Sequence, residues 1–143
     1  MRVAPYDDDN VTNNDVIIRR VNPDQHIVFN ENTQTMQLSS KLFSPSSELN
    51  GGMSVDLLRL IEEAGRDAKE FVTTPIFTGS VCFIAGSARA AGLRVGGEPL
   101  PDNPFHGEIW GNPNRPNKFT RKQKNALINA SKWFVQIPDV SIK

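Results

Sequence analysis

The chain has 143 residues, 38% of them hydrophobic and 22% charged, with 16 basic side chains balanced by 16 acidic ones. That composition excludes wholesale disorder, and the neutral total argues against a dedicated non-specific DNA binder, which is basic overall. The single cysteine rules out an internal disulfide and a cysteine-rich zinc site.

A chain of this size buries roughly two-thirds of its unfolded surface, so one globular domain over residues 1–143 is expected. Residues 1–14 read as a polar, acidic lead-in around Asp7-Asp8-Asp9, without the spaced ligands of a calcium loop. Val16–Val21 is β-branched and predicts a strand, followed by a turn at Asn22-Pro23-Asp24. His26–Phe29 and Thr35–Ser39 predict two more, so 16–40 is expected to form a small antiparallel meander. Ser54 is expected to cap a helix over Val55–Ala64. There Val55, Leu57, Leu58, Leu60, Ile61 and Ala64 follow the helical period and Gly65 ends it.

Ile76–Thr78, Ser80–Ala85 and Gly92–Val95 read as strand material, with one helical turn at Ser87–Gly92. Cys82 sits in the apolar run Val81–Ala85 and is expected to be a buried, inert thiol. Phe105–Trp110 predicts a short strand between two loops rich in Gly, Pro and Asn. Thr120 is expected to cap a final helix over Arg121–Val135. The fold class is therefore α+β: a small antiparallel sheet with two main helices, at about 55–64 and 121–135. The expected core is Val16, Ile18, Val28, Leu38, Val55, Leu58, Ile61, Val81, Phe83, Ile109, Leu127 and Phe134.

Charge is unevenly placed. Residues 109–143 hold seven basic side chains and one acid, and the preceding residues carry the compensating excess of acid. Arg115, Lys118, Arg121, Lys122 and Lys124 cluster there with Trp110 nearby. This basic patch predicts a binding surface for an acidic protein partner, or, with its interleaved aromatics, for single-stranded nucleic acid.

The most function-like stretch is Asn103–Gly111, which places His106 and Glu108 two residues apart. On a strand they share one face, and a histidine beside a carboxylate is the usual material of acid–base catalysis. His106-Gly107-Glu108 lacks the downstream cysteines of a zinc deaminase. His26 stands 80 residues from His106, so no metal site and no cofactor is expected. Neither a nucleophile elbow nor a glycine-rich phosphate loop is present.

Arg19 or Arg20 on an early strand, Ser39-Ser40 on a following one and a late Glu108 resemble the Arg–Ser–Glu order of ADP-ribosyltransferase toxins. The resemblance implies a transferase using Arg20, Ser39 and Glu108. It departs from the family at position 106, where His106 stands in place of Glu or Gln. Since no complete catalytic motif is contiguous, the first expectation is a small non-enzymatic accessory protein acting through a protein partner, in a bacterial-type assembly. The alternatives are an enzyme using His106, Glu108, Arg20 and Ser39, and an RNA-binding module using the basic C-terminal helix. The polar start is no signal peptide, and no apolar run nears the roughly 20 residues that span a bilayer. A cytoplasmic protein without a membrane partner is expected.

Overall fold

Alternation of apolar side chains along short strands decides the architecture. The computed structural model describes residues 6–46, 51–111 and 118–143. In chain order the elements are β1 Val16–Val21, α1 Pro23–His26, β2 Ile27–Asn30, β3 Thr35–Leu38, a 3-10 turn Ser40–Leu42, β4 Met53–Leu57, α2 Leu58–Glu63 and α3 Ala68–Val72. There follow β5 Gly79–Ile84, α4 Ala85–Ala90, β6 Arg94–Gly97, β7 His106–Trp110, α5 Arg121–Ala130, β8 Lys132–Val135 and β9 Val140–Ser141. A six-stranded antiparallel sheet runs in the order β6-β7-β4-β1-β5-β8, and a second sheet in the order β2-β3-β9. The α+β expectation holds.

β1 occupies the middle of the large sheet and pairs with β5 along its whole length, from Val16↔Ile84 to Val21↔Gly79. Successive side chains point to opposite faces. Ile17 and Val21 join Val55, Leu57, Val81, Phe83 and Ile109 in one apolar cluster, while Ile18 joins Cys82, Ile61, Val72 and Phe105 in another. The sheet is therefore covered on both faces. Burial pushes the Cys82 thiol up from its usual value, partly offset by Lys132 and Lys69, which suits an inert core cysteine.

Several expected boundaries move. The meander over 16–40 does not form: β1 belongs to the large sheet, and β2 and β3 form a hairpin in the small one. His26 ends α1 rather than opening a strand, because Asn22 and Pro23 start a helical turn and the Asn22 side chain accepts from Asp24 N–H. The helix expected at 55–64 starts at Leu58. Its first residues belong to β4, where Met53, Val55 and Leu57 are buried apolar side chains alternating with Ser54 and Asp56. That period of two fits the slot between β1 and β7, so tertiary pairing overrides helix propensity. Gly65 does end α2, with φ of 74° that a side chain rarely adopts.

The final helix starts where expected. Thr120 Oγ1 accepts from Gln123 N–H and Gln123 Oε1 accepts from Thr120 N–H, a reciprocal cap. It stops at Ala130 instead of Val135, because Lys132–Val135 pairs with the edge of β5 that β1 leaves open. Ile76–Thr78 is irregular. Val28, expected in the core, is 43% exposed on the β2–β3 hairpin, and Val16, Leu58 and Phe134 are only partly buried. Within the lead-in, residues 6–8 are anchored rather than solvated. Asp8 N–H donates to Val95 O at 2.9 Å, Asp7 pairs with Arg89 at 2.8 Å, and Tyr6 packs against Trp110 and donates its hydroxyl proton to Gly97 O.

Among the described residues no helix is long and apolar enough to cross a membrane. Fully buried Ile61 and exposed Val28 separate the two readings of the core. Ile61→Ala should lower stability by about 2–5 kcal/mol through lost contacts and a residual cavity. Val28→Ala should cost no more than about 0.5 kcal/mol. Urea unfolding midpoints check both values, and equal shifts would contradict this core.

Candidate functional site

The site begins where a ladder stops. β1 and β4 exchange only two residue pairs, Ile17↔Leu57 and Ile18↔Asp56, although both strands continue beyond them. In an unbroken ladder Ser54 would bond to β1. Instead its carbonyl accepts from Arg19 Nη1 at 2.9 Å, and its N–H donates to Ser46 Oγ at 3.0 Å. Arg19 Nε also donates to Leu42 O at 3.0 Å. The guanidinium thus takes the place of missing strand pairing and satisfies backbone groups that burial would otherwise orphan.

The parting is lined by a cavity of about 350 Å³. β1 supplies Arg19 and Arg20, α1 supplies His26, β4 supplies Ser54 and Asp56, and β7 supplies His106, with Asn103 from the loop before it. Asp56 is 3% exposed and accepts from Arg20 Nε at 2.8 Å, Arg20 Nη2 at 3.1 Å and Asn103 Nδ2 at 2.9 Å. A bidentate arginine–carboxylate pair of this kind fixes both planes. Asn103 is held in turn, since its Oδ1 accepts from Phe105 N–H at 3.0 Å. The Arg20 guanidinium also lies 5.5 Å over the Phe71 ring.

The two histidines carry their protons on different nitrogens. His106 Nδ1 lies 2.7 Å from Glu98 O. A carbonyl only accepts, so Nδ1 carries the proton, and the neutral ring keeps its lone pair on Nε2. That Nε2 faces Glu108 Oε2 at 4.0 Å. His26 is the reverse. Its Nδ1 accepts from Asn22 N–H at 2.9 Å, so the neutral ring carries its proton on Nε2. Burial, reinforced by the Arg19 charge, depresses the His26 pKa to about 4, so it is neutral at physiological pH. Burial also lowers the Arg19 pKa to about 10, opposed by Asp56, which leaves the guanidinium charged at neutral pH.

Glu108 is 1% exposed, and its Oε1 accepts from Gly52 N–H at 3.2 Å. Gly52 is required there, because a Cβ would stand 2.6 Å from Glu108 Oε1 and 2.8 Å from Trp110 Nε1. Position 52 therefore serves the close approach of the chain before β4 to β7.

Of the residues singled out from sequence, His106, Glu108 and Arg20 come together. Ser39 does not: its Oγ caps the 3-10 turn by accepting from Lys41 N–H, and it lines a separate groove with Asn125 and Asn129. The serines on the strands beside β1 are Ser54 on β4 and Ser80 on β5, the latter opposite Arg20. Trp110 is fully buried under Tyr6 and forms part of the interior, not a binding surface. Lys118, Arg121 and Lys122 are exposed, Lys124 is partly so, and none forms an ion pair among the described residues. Arg115 lies outside the described residues. Sequence reasoning missed His26, Ser54, Asp56 and Asn103, and offered Arg19 only as an alternative to Arg20. The signal for Ser54 and Asp56 was the alternation Met53-Ser54-Val55-Asp56-Leu57.

Among the described residues no group of three or more His, Cys, Asp or Glu side chains converges on a point where a metal would sit. The chain matches no protein-family model, no curated protein and no solved structure.

The depressed pKa of His26 makes a signed prediction. An unfolded histidine takes up a proton near pH 6.5, the folded one only near 4. Between these values the unfolded state binds more protons, so stability present above about 6.5 is lost as pH falls through the window. The loss is on the order of 3 kcal/mol. Chemical unfolding at pH 7, 5.5 and 4 should show it, and His26→Gln, which has no proton to gain, should remove that part of the slope.

Proposed function

We propose that this chain is an enzyme whose active centre is the β1–β4 cleft, with His106 as the group that moves a proton. The carrying observation is the fixed tautomer of His106. The ring is tied at Nδ1 to Glu98 O, lines the cavity, and holds a basic Nε2 against the Glu108 carboxylate. A base that accepts a proton at Nε2 becomes an imidazolium, and Glu108 4.0 Å away stabilises that charge. Arg20, locked by Asp56, orients a polar or anionic part of the substrate at the cavity wall. This reading replaces the partner-binding expectation. That expectation rested on size, the segregated charge and the lack of a contiguous catalytic motif, and the last of these loses its force here because the polar groups come from separate segments.

One observation favours a particular reaction. β7, β4 and β1 are neighbours and bear Glu108, Ser54 and Arg20 in that order, an Arg–Ser–Glu set like that of the ADP-ribosyltransferase resemblance but with Ser54 in place of Ser39. In such a transfer the bond between the ribose and nicotinamide of NAD breaks, with its electron pair leaving on nicotinamide. An incoming hydroxyl adds at the ribose carbon while its proton passes to His106 Nε2. A nearby carboxylate then stabilises the positive charge that builds on the sugar.

The test is to incubate wild type, His106→Asn and Glu108→Gln with a small-molecule cell extract supplemented with NAD, and to follow depletion by mass spectrometry. Wild type should consume at least one compound, and His106→Asn should do so about 10²–10⁴-fold more slowly. Consumption of NAD that fails in Glu108→Gln selects ADP-ribosyl transfer, and NAD left intact rules that reaction out. No consumption by wild type, or equal rates in wild type and His106→Asn, would overturn the enzyme reading.

A further inference from the structure

Two cationic side chains and one carboxylate line the cleft, and this imbalance points to a missing negative group. Asp56 is fully engaged by Arg20 and Asn103. Arg19 is 8% exposed, and its three hydrogen bonds all end on neutral oxygens: Leu42 O, Ser54 O and, at 3.4 Å, Ser46 Oγ. Among the described residues it has no ion-pair partner. A buried cation without a bound counter-ion is costly to keep. Glu108 does not supply the balance, since it is not among the residues lining the cavity and its Oε1 is bonded to Gly52 N–H.

His26 lines the same cavity from α1. Its Nδ1 is committed to Asn22 N–H, so the ring offers its Nε2–H and nothing else. We propose that Arg19 and His26 form an oxyanion subsite that takes a phosphate or carboxylate group of the substrate. The inference rests on the cleft being the functional site, and it names a feature of what enters it. The guanidinium supplies charge, and the imidazole supplies a directed neutral donor whose proton is not lost to the anion. The low His26 pKa fits this role, because an imidazole held neutral donates without becoming a second cation. His26 is here a binding residue, distinct from the proton-moving His106.

The test uses the full chain with inorganic phosphate and with acetate as probes, titrated at pH 7 and read by imidazole ¹⁵N–¹H correlation spectra. One probe should saturably shift the His26 Nε2–H resonance, and which of them binds tighter distinguishes a phosphate from a carboxylate site. His26→Leu, which removes the donor, should weaken binding at least tenfold, whereas His26→Gln, which keeps an N–H near that position, should restore most of it. Arg19 also holds two backbone carbonyls, so the His26 pair is the cleaner comparison. If His26→Leu does not fold, the wild-type resonance alone decides. Neither probe moving that resonance would overturn the proposal. So would unchanged affinity in His26→Leu, or binding that disappears instead in Arg121→Gln/Lys122→Gln on the exposed patch. His106→Asn should retain anion binding. Anion binding without any turnover therefore defeats the enzyme reading alone, and turnover without an anion effect defeats the subsite alone.

Discussion

The Arg19 guanidinium is the constraint on which the architecture of the cleft depends. Strands β1 and β4 lie side by side, yet the sheet tolerates their separation beyond the Ile18–Asp56 pair because one side chain bridges the gap to Ser54 O while reaching Leu42 O on the other side. Without it, Ser54 and Leu42 would each leave a buried carbonyl unpaired, or the strands would zip together and fill the space with backbone hydrogen bonds. Desolvating an arginine is the cost of keeping the sheet open.

Adjacent positions on β1 serve different purposes because a strand alternates its faces. Arg19 shares its face with Ile17 and Val21 and props the parting from within the larger apolar cluster. Arg20 points the other way, onto Asp56 and over Phe71. The same alternation groups Asp56 on β4 with His106 and Glu108 on β7, while Val55 and Ile109 face the apolar cluster. Of two arginines in a row, Arg19 thus bridges the parted strands and Arg20 is held by Asp56, and both line the cavity. Neighbouring loops then settle the chemistry of the histidines. A carbonyl beside His106 Nδ1 and an amide beside His26 Nδ1 give the two rings opposite hydrogen-bonding character within one cavity.

Much of the fold was legible from local pattern. β1, the Thr120 cap, the glycine end of α2 at Gly65 and the buried Cys82 all follow from side-chain chemistry acting over a few residues. What was not legible depends on distant pairing. Met53–Leu57 satisfies a period of two and adjoins a helical run, and only the vacancy between β1 and β7 decides in favour of a strand. Lys132–Val135 likewise continues a plausible helix until the open edge of β5 claims it. The candidate site divides along the same line. His106 and Glu108 announce themselves by spacing, but Asp56 falls inside a segment that reads as a helix, His26 reads as an isolated histidine, and nothing local separates Arg19 from Arg20. Their convergence is a property of the strand order.

That order also bears on how the chain acquires its structure during synthesis. β1 is made early but lies between β4 and β5, and the sheet's two outer edges, β6 and β8, are both made later. The stretch at Asp7–Asp8 docks on Val95 and Gly97 across almost ninety intervening residues. Contacts so distant in sequence form slowly, and until the segment 132–135 has left the ribosome β5 presents a bare edge to solvent and to other nascent chains. Val81 and Phe83 lie on that strand. A cell making this protein therefore carries, for the interval between those two strands, an unpaired apolar edge of the sort that holdase chaperones shield, and slowing elongation through α5 would lengthen that exposure.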